Sequence, residues 1–181
     1  VAHSFPTRRS SDLSASNAVL KKMNRKYDIY QVEKFLDKLL KFDEKFTFAT
    51  DVITGFPNES RQDHKMTMKF IEKWKPTVLN ISKYSTRPNT KAKKMKQHKS
   101  QIIKERSTEV SKLYSSIVKT NLKKWIGWKG LVYINELHRN KEFPYMGRNL
   151  YYIPILTKNG EIGKSKKLKI IKIKNHALIS G

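Results

Sequence analysis

Cysteine is absent from this chain of 181 residues. The absence excludes disulfides, thiolate zinc sites, cysteine nucleophiles and iron–sulfur clusters held by the chain's own thiolates. Histidine offers no substitute, because the downstream histidines lie in separate segments without the short spacing of a metal site. These are His64, His98, His138 and His176. We therefore expect no metal site within the chain itself.

Long apolar runs are also absent. No run approaches the roughly 18 apolar residues that a membrane-spanning helix needs, and the N-terminus lacks the apolar centre of a signal peptide. We therefore expect no membrane partner and a cytoplasmic location. With 38% hydrophobic and 10% aromatic residues, the chain can bury one modest core or two small ones.

Acidic residues are scarce relative to basic ones, with 15 Asp and Glu against 39 Lys and Arg, for a net charge of +24. Such an excess favours polyanionic partners, although a general enrichment in lysine could produce it without any ligand. The distribution is uneven. Residues 83–104 contain eight basic and no acidic residues, and residues 121–181 contain 13 basic and three acidic ones. Both stretches are candidate phosphate-facing surfaces.

The first thirteen residues have no amphipathic period. Residues 3–13, HSFPTRRSSDL, give on back-translation a sequence that resembles a common short-read sequencing adapter read through in frame. We interpret residues 1–13 as an adapter artefact, and a natural basic tail is the alternative.

From residue 14 onward, helical and strand patterns alternate in the manner of an α/β protein. Ser16 and Asp28 are suited to cap two successive helices, the first over residues 16–24. Short apolar strands are predicted at 46–53 and 77–81, with a helix at 61–74 between them and a long helix at 100–119 after them. The first strand would place Asp51 at its C-terminal end, so two βα units are predicted.

Beyond residue 121 the pattern changes to short strands, predicted at 130–135, 149–157 and 168–174. A turn at Asn159–Gly160 and breaks at Gly147 and Gly163 favour a small β-barrel. In the last strand, lysines alternate with leucine and isoleucine, which predicts one core face and one basic face.

Four segments, in this order and spacing, carry a family resemblance: SASNAVLKKMNRKY at 14–27, TDVITGFPNES at 50–60, VLNISKYSTRPNTKAKKM at 78–95 and IIKERSTEV at 102–110. Together they resemble the radical-SAM methylthiotransferase family, closest to its archaeal and eukaryotic branch that acts on tRNA. The segments WKGLVYINE and MGRNLYYIPI look like the TRAM domain of that family. Ala15, Asn58 and Asn89 stand where the family usually has glycine.

The resemblance implies a fold and an activity. The implied fold is α/β plus all-β, with residues 14–120 as the C-terminal part of a partial TIM-like radical-SAM barrel and residues 121–181 as a TRAM-like RNA-binding β-barrel. The implied reaction converts N6-threonylcarbamoyladenosine at tRNA position 37 to its 2-methylthio derivative. It implies S-adenosylmethionine, two 4Fe-4S clusters, a reductant and a sulfur donor, but the cluster cysteines are absent here. This part alone is therefore expected to be inactive.

The resemblance also implies the residues of the cofactor pocket. Ile53 and Gly55 would pack against the adenosine, Asp51 would orient neighbouring polar groups, and Arg25 would pair with the methionine carboxylate. Ser14 and Ser16 match the end of a pocket-lining segment. Without the resemblance, Asp51 and Gly55 would be interpreted as the end of a strand and a turn, and Arg25 as a surface residue.

Several cations are candidate contacts for RNA phosphates. They are Arg87, Lys93 and Lys94 in the basic loop, and Lys124, Lys129, Arg139, Arg148, Lys158 and Lys164 in the barrel. Tyr151 or Tyr152 could stack on a base, although tyrosines at strand spacing also serve as core or surface ladder residues. A free-standing RNA-binding or ribosome-associated protein without catalysis is the alternative function.

Overall fold

The computed structural model describes residues 12–43, 45–174 and 177–181, and only the backbone of Asp12. The adapter-like segment through residue 11 lies outside the described residues, while its last two residues form strand β1 (Asp12–Leu13). The chain forms two compact units, of which the first ends at Ser116 and the second begins at Ile117. None of the helices within the described ranges is long and apolar enough to cross a membrane.

The first unit is a parallel sheet of three strands with accompanying helices. After β1 come α1 (Asn17–Lys22), α2 (Ile29–Phe42), β2 (Ala49–Thr54), α3 (Arg61–Trp74), β3 (Val78–Lys83), a 3₁₀ turn (Lys91–Lys94) and α4 (Ser100–Lys123). From Ile117 onward, α4 belongs to the second unit. The strands are ordered β1-β2-β3, and both pairs are parallel. The mixed α/β character predicted for this part is confirmed.

Polar caps determine where these helices begin. The predicted caps, Ser16 and Asp28, stand immediately before α1 and α2. Ser60 caps α3, because its hydroxyl accepts a hydrogen bond from the Asp63 backbone N–H. The Asp63 carboxylate in turn accepts a hydrogen bond of 2.8 Å from the Ser60 backbone N–H. Each cap satisfies backbone N–H groups that have no partner within the helix.

The position of β2 differs from the prediction. The strand begins at Ala49, where pairing with Val78 of β3 starts, and it ends at Thr54. Asp51 therefore lies within the strand, opposite Asn80, and its predicted position at the strand end is wrong. The apolar run alone could not reveal this, because the partner strand decides which residues pair.

The second unit is a closed five-stranded β-barrel. It contains β4 (Lys129–Leu137), β5 (Tyr145–Asn149), β6 (Pro154–Thr157), β7 (Ser165–Lys174) and β8 (Ala177–Ser180), ordered β4-β5-β6-β8-β7 around the barrel. The predicted barrel is confirmed. Fully buried aliphatic side chains from all but one of the strands fill it: Val132, Ile134, Ile155, Ile170 and Leu178. Leu122 and Trp125, around the end of α4, belong to the same core.

Two local expectations for the barrel are wrong. Residues 149–157 are not one strand, because the chain turns between Asn149 and Pro154. Gly147 is not a break but lies inside β5, where an added Cβ would be 2.5 Å from the Tyr133 carbonyl oxygen. The core face and the basic face predicted for β7 are confirmed, because Leu168 and Ile170 are buried and the lysines of the strand are exposed. Only Ile171 departs from the pattern, since a register shift between Ile170 and Lys172 leaves it exposed.

Candidate cofactor-pocket wall and nucleic-acid interface

Two of the predicted cofactor residues share one face of the parallel sheet. Asp51 and Ile53 are half-buried and alternate with Val52 and Thr54, which are buried. The carboxylate of Asp51 accepts a hydrogen bond of 2.6 Å from the amide of Asn80, the cross-strand neighbour. Because side chains alternate between the faces of a strand, Asp51 and Ile53 can contact a common ligand while Val52 and Thr54 face the core.

Gly55 follows β2 in the left-handed region, at φ +74°. An added Cβ would lie 2.7 Å from Cγ1 of Ile103, and the Gly55 N–H donates to Oε2 of Glu59 at 3.0 Å. Both the backbone conformation and the close approach of Ile103 require glycine here. The local fold therefore explains this glycine independently of any cofactor.

Glu59 and Arg106 form a buried ion pair that the sequence prediction missed. Their side chains are 2% and 7% exposed, and Nη1 of Arg106 donates to Oε2 of Glu59 at 2.5 Å and to the Glu59 carbonyl oxygen at 2.9 Å. The signal was present, because Glu59 lies in GFPNES and Arg106 in IIKERSTEV, two of the segments that carry the resemblance. The pair joins the loop after β2 to α4.

A second polar cluster joins α3 to α4. Nε2 of His64, a buried residue, is 2.9 Å from Oε2 of Glu109, whose two oxygens also accept hydrogen bonds from Arg61 at 2.8 and 2.9 Å. Burial lowers the pKa of His64 even though Glu109 acts in the opposite direction. The hydrogen bond from Arg61 lowers the pKa of Glu109. Neutral His64 therefore faces an ionised Glu109 near neutral pH.

The predicted pocket serines are buried against α3. Ser14 Oγ lies 3.5 Å from Thr67 Oγ1, and the Ser16 hydroxyl donates to Asp63 at 2.5 Å. Burial alone would raise the pKa of Asp63, but hydrogen bonds from Ser16 and Ser60 outweigh it and lower the pKa. The hydroxyls of both serines are thus engaged within the protein.

Arg25 lies just after α1 and is half-buried, with its backbone N–H donating to the Leu20 carbonyl at 2.9 Å. Elsewhere in the first unit, a pocket of about 340 Å³ lies between residues 58–60 and 96–98. Across the described part of the chain, no group of three or more potential ligand side chains could hold a metal ion.

Most of the predicted phosphate contacts are exposed. Arg87, Lys93 and Lys94 are exposed in the first unit, and Lys124, Lys129, Arg139, Lys158 and Lys164 are exposed in the barrel unit. Lys129 stands opposite Lys169 of β7, so two cations share one cross-strand position. Arg148 differs, because it is half-buried and its Nη2 donates to Glu136 at 3.2 Å.

Three lysines converge on the buried ring of Phe143. The ammonium groups of Lys158, Lys172 and Lys174 lie 5.8, 6.0 and 5.9 Å from its centroid. A hydrogen bond from Lys174 at 2.7 Å lowers the pKa of Glu142. We call Lys158, Lys172 and Lys174 the lysine cluster. Glu142 offsets one of these three charges, and the net positive charge that remains would attract a phosphate group.

The two neighbouring tyrosines differ sharply in exposure. The Tyr151 ring lies 5.2 Å from that of Trp125 and packs against the barrel core. Tyr152 is 59% exposed, with the guanidinium carbon of Arg148 4.8 Å from its ring centroid. A third tyrosine, Tyr133 on β4, is 52% exposed, and the prediction missed it. Its alternation with Val132 and Ile134 was the available signal.

Comparison with known proteins adds the family. No protein-family model matches the chain. Over 90% of its length, the chain is 34% identical to the threonylcarbamoyladenosine tRNA methylthiotransferase of Xenopus laevis, and over 87% it is 32% identical to the human protein of that name. It is 30% identical over 91% of its length to a protein of Methanocaldococcus jannaschii named as a probable enzyme of the same kind. The chain belongs to the tRNA methylthiotransferase family.

The family predicted from the four segments is therefore confirmed. The chain spans 29%, 27% and 37% of the lengths of those three relatives. The matches cover nearly the whole of the present chain. They therefore extend over both units, the one that ends at Ser116, here called the sheet unit, and the one that begins at Ile117, here called the barrel unit.

Proposed function

We propose that this chain is the C-terminal part of a tRNA methylthiotransferase that converts N6-threonylcarbamoyladenosine beside the anticodon to its 2-methylthio derivative by radical-SAM chemistry. Support comes from the names of the relatives in eukaryotes and archaea. The chain contains no cysteine, so its residues do not fit either 4Fe-4S cluster. The clusters, the reductant, the sulfur donor and the cytoplasmic location belong to the whole enzyme in this proposal.

Within that enzyme, we assign to the sheet unit a wall of the S-adenosylmethionine pocket in a partial TIM-like barrel. Asp51 and Ile53 suit this role because they lie on one face of the sheet and both side chains are only half-buried. S-adenosylmethionine would supply the methyl group and the radical when bound. Gly55, Arg25, Ser14 and Ser16 remain candidates, although the two serines would contribute mainly by fixing the chain against α3.

To the barrel unit we assign tRNA binding. The observation that carries this assignment is the number of exposed cations on a closed barrel, including the lysine cluster and the Lys129–Lys169 pair. Cations of this kind bind phosphates regardless of base sequence, and the released counterions make the affinity depend on salt.

The alternative, a free-standing RNA-binding protein, would use the same cations. It is less favoured, because the relatives match the sheet unit as well as the barrel unit and are named as enzymes. The genomic sequence upstream of the codon for Ser14 separates the two functions. An open reading frame that encodes two sets of cluster cysteines supports the enzyme, whereas a start codon at the adapter-like segment supports the alternative.

Titration of the 181-residue chain with tRNA over a series of salt concentrations tests the RNA-binding assignment. We expect log Kd to rise linearly with log salt. Replacing Lys172 and Lys174 by alanine should reduce the slope by about one for each of these lysines that binds a phosphate. A Lys38→Ala, Lys41→Ala double variant on α2 removes the same charge and is the control. Absence of binding at low salt, or binding insensitive to salt, would contradict the assignment.

A further inference from the structure

The turn between β5 and β6 holds an aromatic residue in an unfavourable backbone conformation. Tyr152 has φ +60°, in the left-handed region. Its Cβ makes this conformation costly, and hairpin loops that need a left-handed residue usually place glycine there. A bulky residue at such a φ is an outlier, and outliers of this kind cluster at functional sites.

Asn149 holds the turn in this conformation. Its side-chain oxygen accepts hydrogen bonds from the backbone N–H groups of Tyr151 and Ile153 at 3.1 and 3.0 Å, and its carbonyl oxygen accepts the Tyr152 N–H at 2.9 Å. Asn149 is itself buried. The backbone on both sides of Tyr152 is therefore fixed, and the exposed ring is presented by a rigid support.

Arg148 and Tyr133 complete an aromatic and cationic surface beside this ring. The Arg148 guanidinium lies over the Tyr152 ring at 4.8 Å, and Glu136 holds its Nη2 at 3.2 Å. Arg148 is directly opposite Tyr133 on β4, so both side chains leave the same face of the barrel. We call Tyr133, Arg148 and Tyr152 the tyrosine–arginine surface.

Hydrophobic packing does not account for this surface. The rings of Tyr133 and Tyr152 are more than half exposed, whereas the neighbouring Tyr151 packs inward against the core. Cations flank the surface. On the face of β4 that carries Tyr133, Lys129 stands opposite Lys169 of β7, and Leu131 stands opposite Lys167 of β7. Exposed aromatic rings beside cations are suited to stack on unpaired bases while the cations contact the sugar–phosphate backbone.

We propose that the tyrosine–arginine surface binds an unpaired base of an RNA loop, with Tyr152 as the stacking residue and Arg148 as the residue that positions its ring. This inference rests on the proposed RNA-binding function and specifies the ligand as single-stranded rather than paired RNA. Duplex RNA keeps its bases stacked on one another, so it offers only phosphates and hydroxyls to the barrel.

The test compares two RNA probes on the 181-residue chain, an RNA stem-loop and a fully paired duplex with the same number of phosphates. Tyr152→Ala should weaken binding of the stem-loop about 5- to 100-fold, the effect of losing one stacked base, and change binding of the duplex less than about twofold. Tyr152→Trp should retain stem-loop binding. Tyr30→Ala is the matched control, since Tyr30 on α2 is 66% exposed and also has a lysine, Lys34, over its ring.

Tyr152→Gly separates loss of the tyrosine ring from loss of the fold, because glycine adopts the left-handed conformation without strain. We expect it to unfold at a temperature close to that of the parent chain and to lose the same stem-loop affinity as Tyr152→Ala. Equal losses for both probes, or no loss with Tyr152→Ala, would overturn the stacking inference alone. Failure of the unsubstituted chain to bind either probe would overturn the RNA-binding function on which it rests.

Discussion

Replacing Arg106 by methionine should severely destabilise the sheet unit. Glu59 is 2% exposed, so the substitution would leave its carboxylate in the interior without a cation, although the Gly55 N–H still donates to it. Two unit charges about 4 Å apart attract each other by about 4 kcal/mol at an effective dielectric constant of about 20. Loss of one partner of a buried ion pair commonly costs about 3 to 5 kcal/mol. We therefore expect a decrease of about 4 kcal/mol in the free energy of unfolding.

Hydrogen–deuterium exchange followed by peptide is the suitable assay, because it reports on β2 and β3 separately from the barrel strands. Protection of the β2 and β3 amides should decrease strongly in Arg106→Met. It should recover in the double variant Glu59→Gln, Arg106→Met, which no longer buries an unpaired charge. Lys104→Met, at an exposed position of the same helix, is the control. A loss below about 1 kcal/mol, or a double variant as unstable as the single one, would refute the reasoning.

Two further predictions concern pH and packing. Because burial lowers the pKa of His64, stability should be complete above the ordinary histidine pKa of about 6.5 and decrease as the pH falls below it, since the unfolded chain then binds the proton more readily. Thermal unfolding between pH 8 and pH 5 measures this, and His64→Gln should flatten the profile in that range; an unchanged profile would contradict it. Gly147→Ala should destabilise the barrel by about 2 kcal/mol or more, because its Cβ would meet the rigid Tyr133 carbonyl at 2.5 Å. Gly163→Ala is the control, because φ is +86° there but an added Cβ meets nothing within 4 Å, and it should cost about 1 kcal/mol. Urea unfolding measures both variants, and equal decreases in their free energy of unfolding would count against the packing argument.

Local patterns in the sequence predicted much of the fold. The caps at Ser16 and Asp28 and the bounds of α3 follow from side chains within one turn of each helix, so a linear sequence contains the required information. Strand bounds were less accurate, because β2 is delimited by pairing with β3 and β5 ends at a turn organised by Asn149. Long-range pairing of this kind has no local signature.

The candidate site was likewise predicted only in part from the sequence. The apolar run at 46–53 already placed Asp51 and Ile53 on one strand, but only the structure puts them on its half-buried face. The sequence could not choose between Tyr151 and Tyr152, because they are identical residues at adjacent positions. The turn decides, since the left-handed conformation at Tyr152 exposes its ring while Tyr151 packs against Trp125.

The sequence by itself determined the family, the succession of a βα part and a small barrel, the large positive charge and the absence of cluster ligands. These properties depend on composition and on segments read in order. Only the tertiary structure decided that Glu59 meets Arg106 across 47 positions, that three lysines surround Phe143 and that Tyr133 stands opposite Arg148. Such contacts join residues far apart in the chain, and they exist only when packing and strand register bring those residues together.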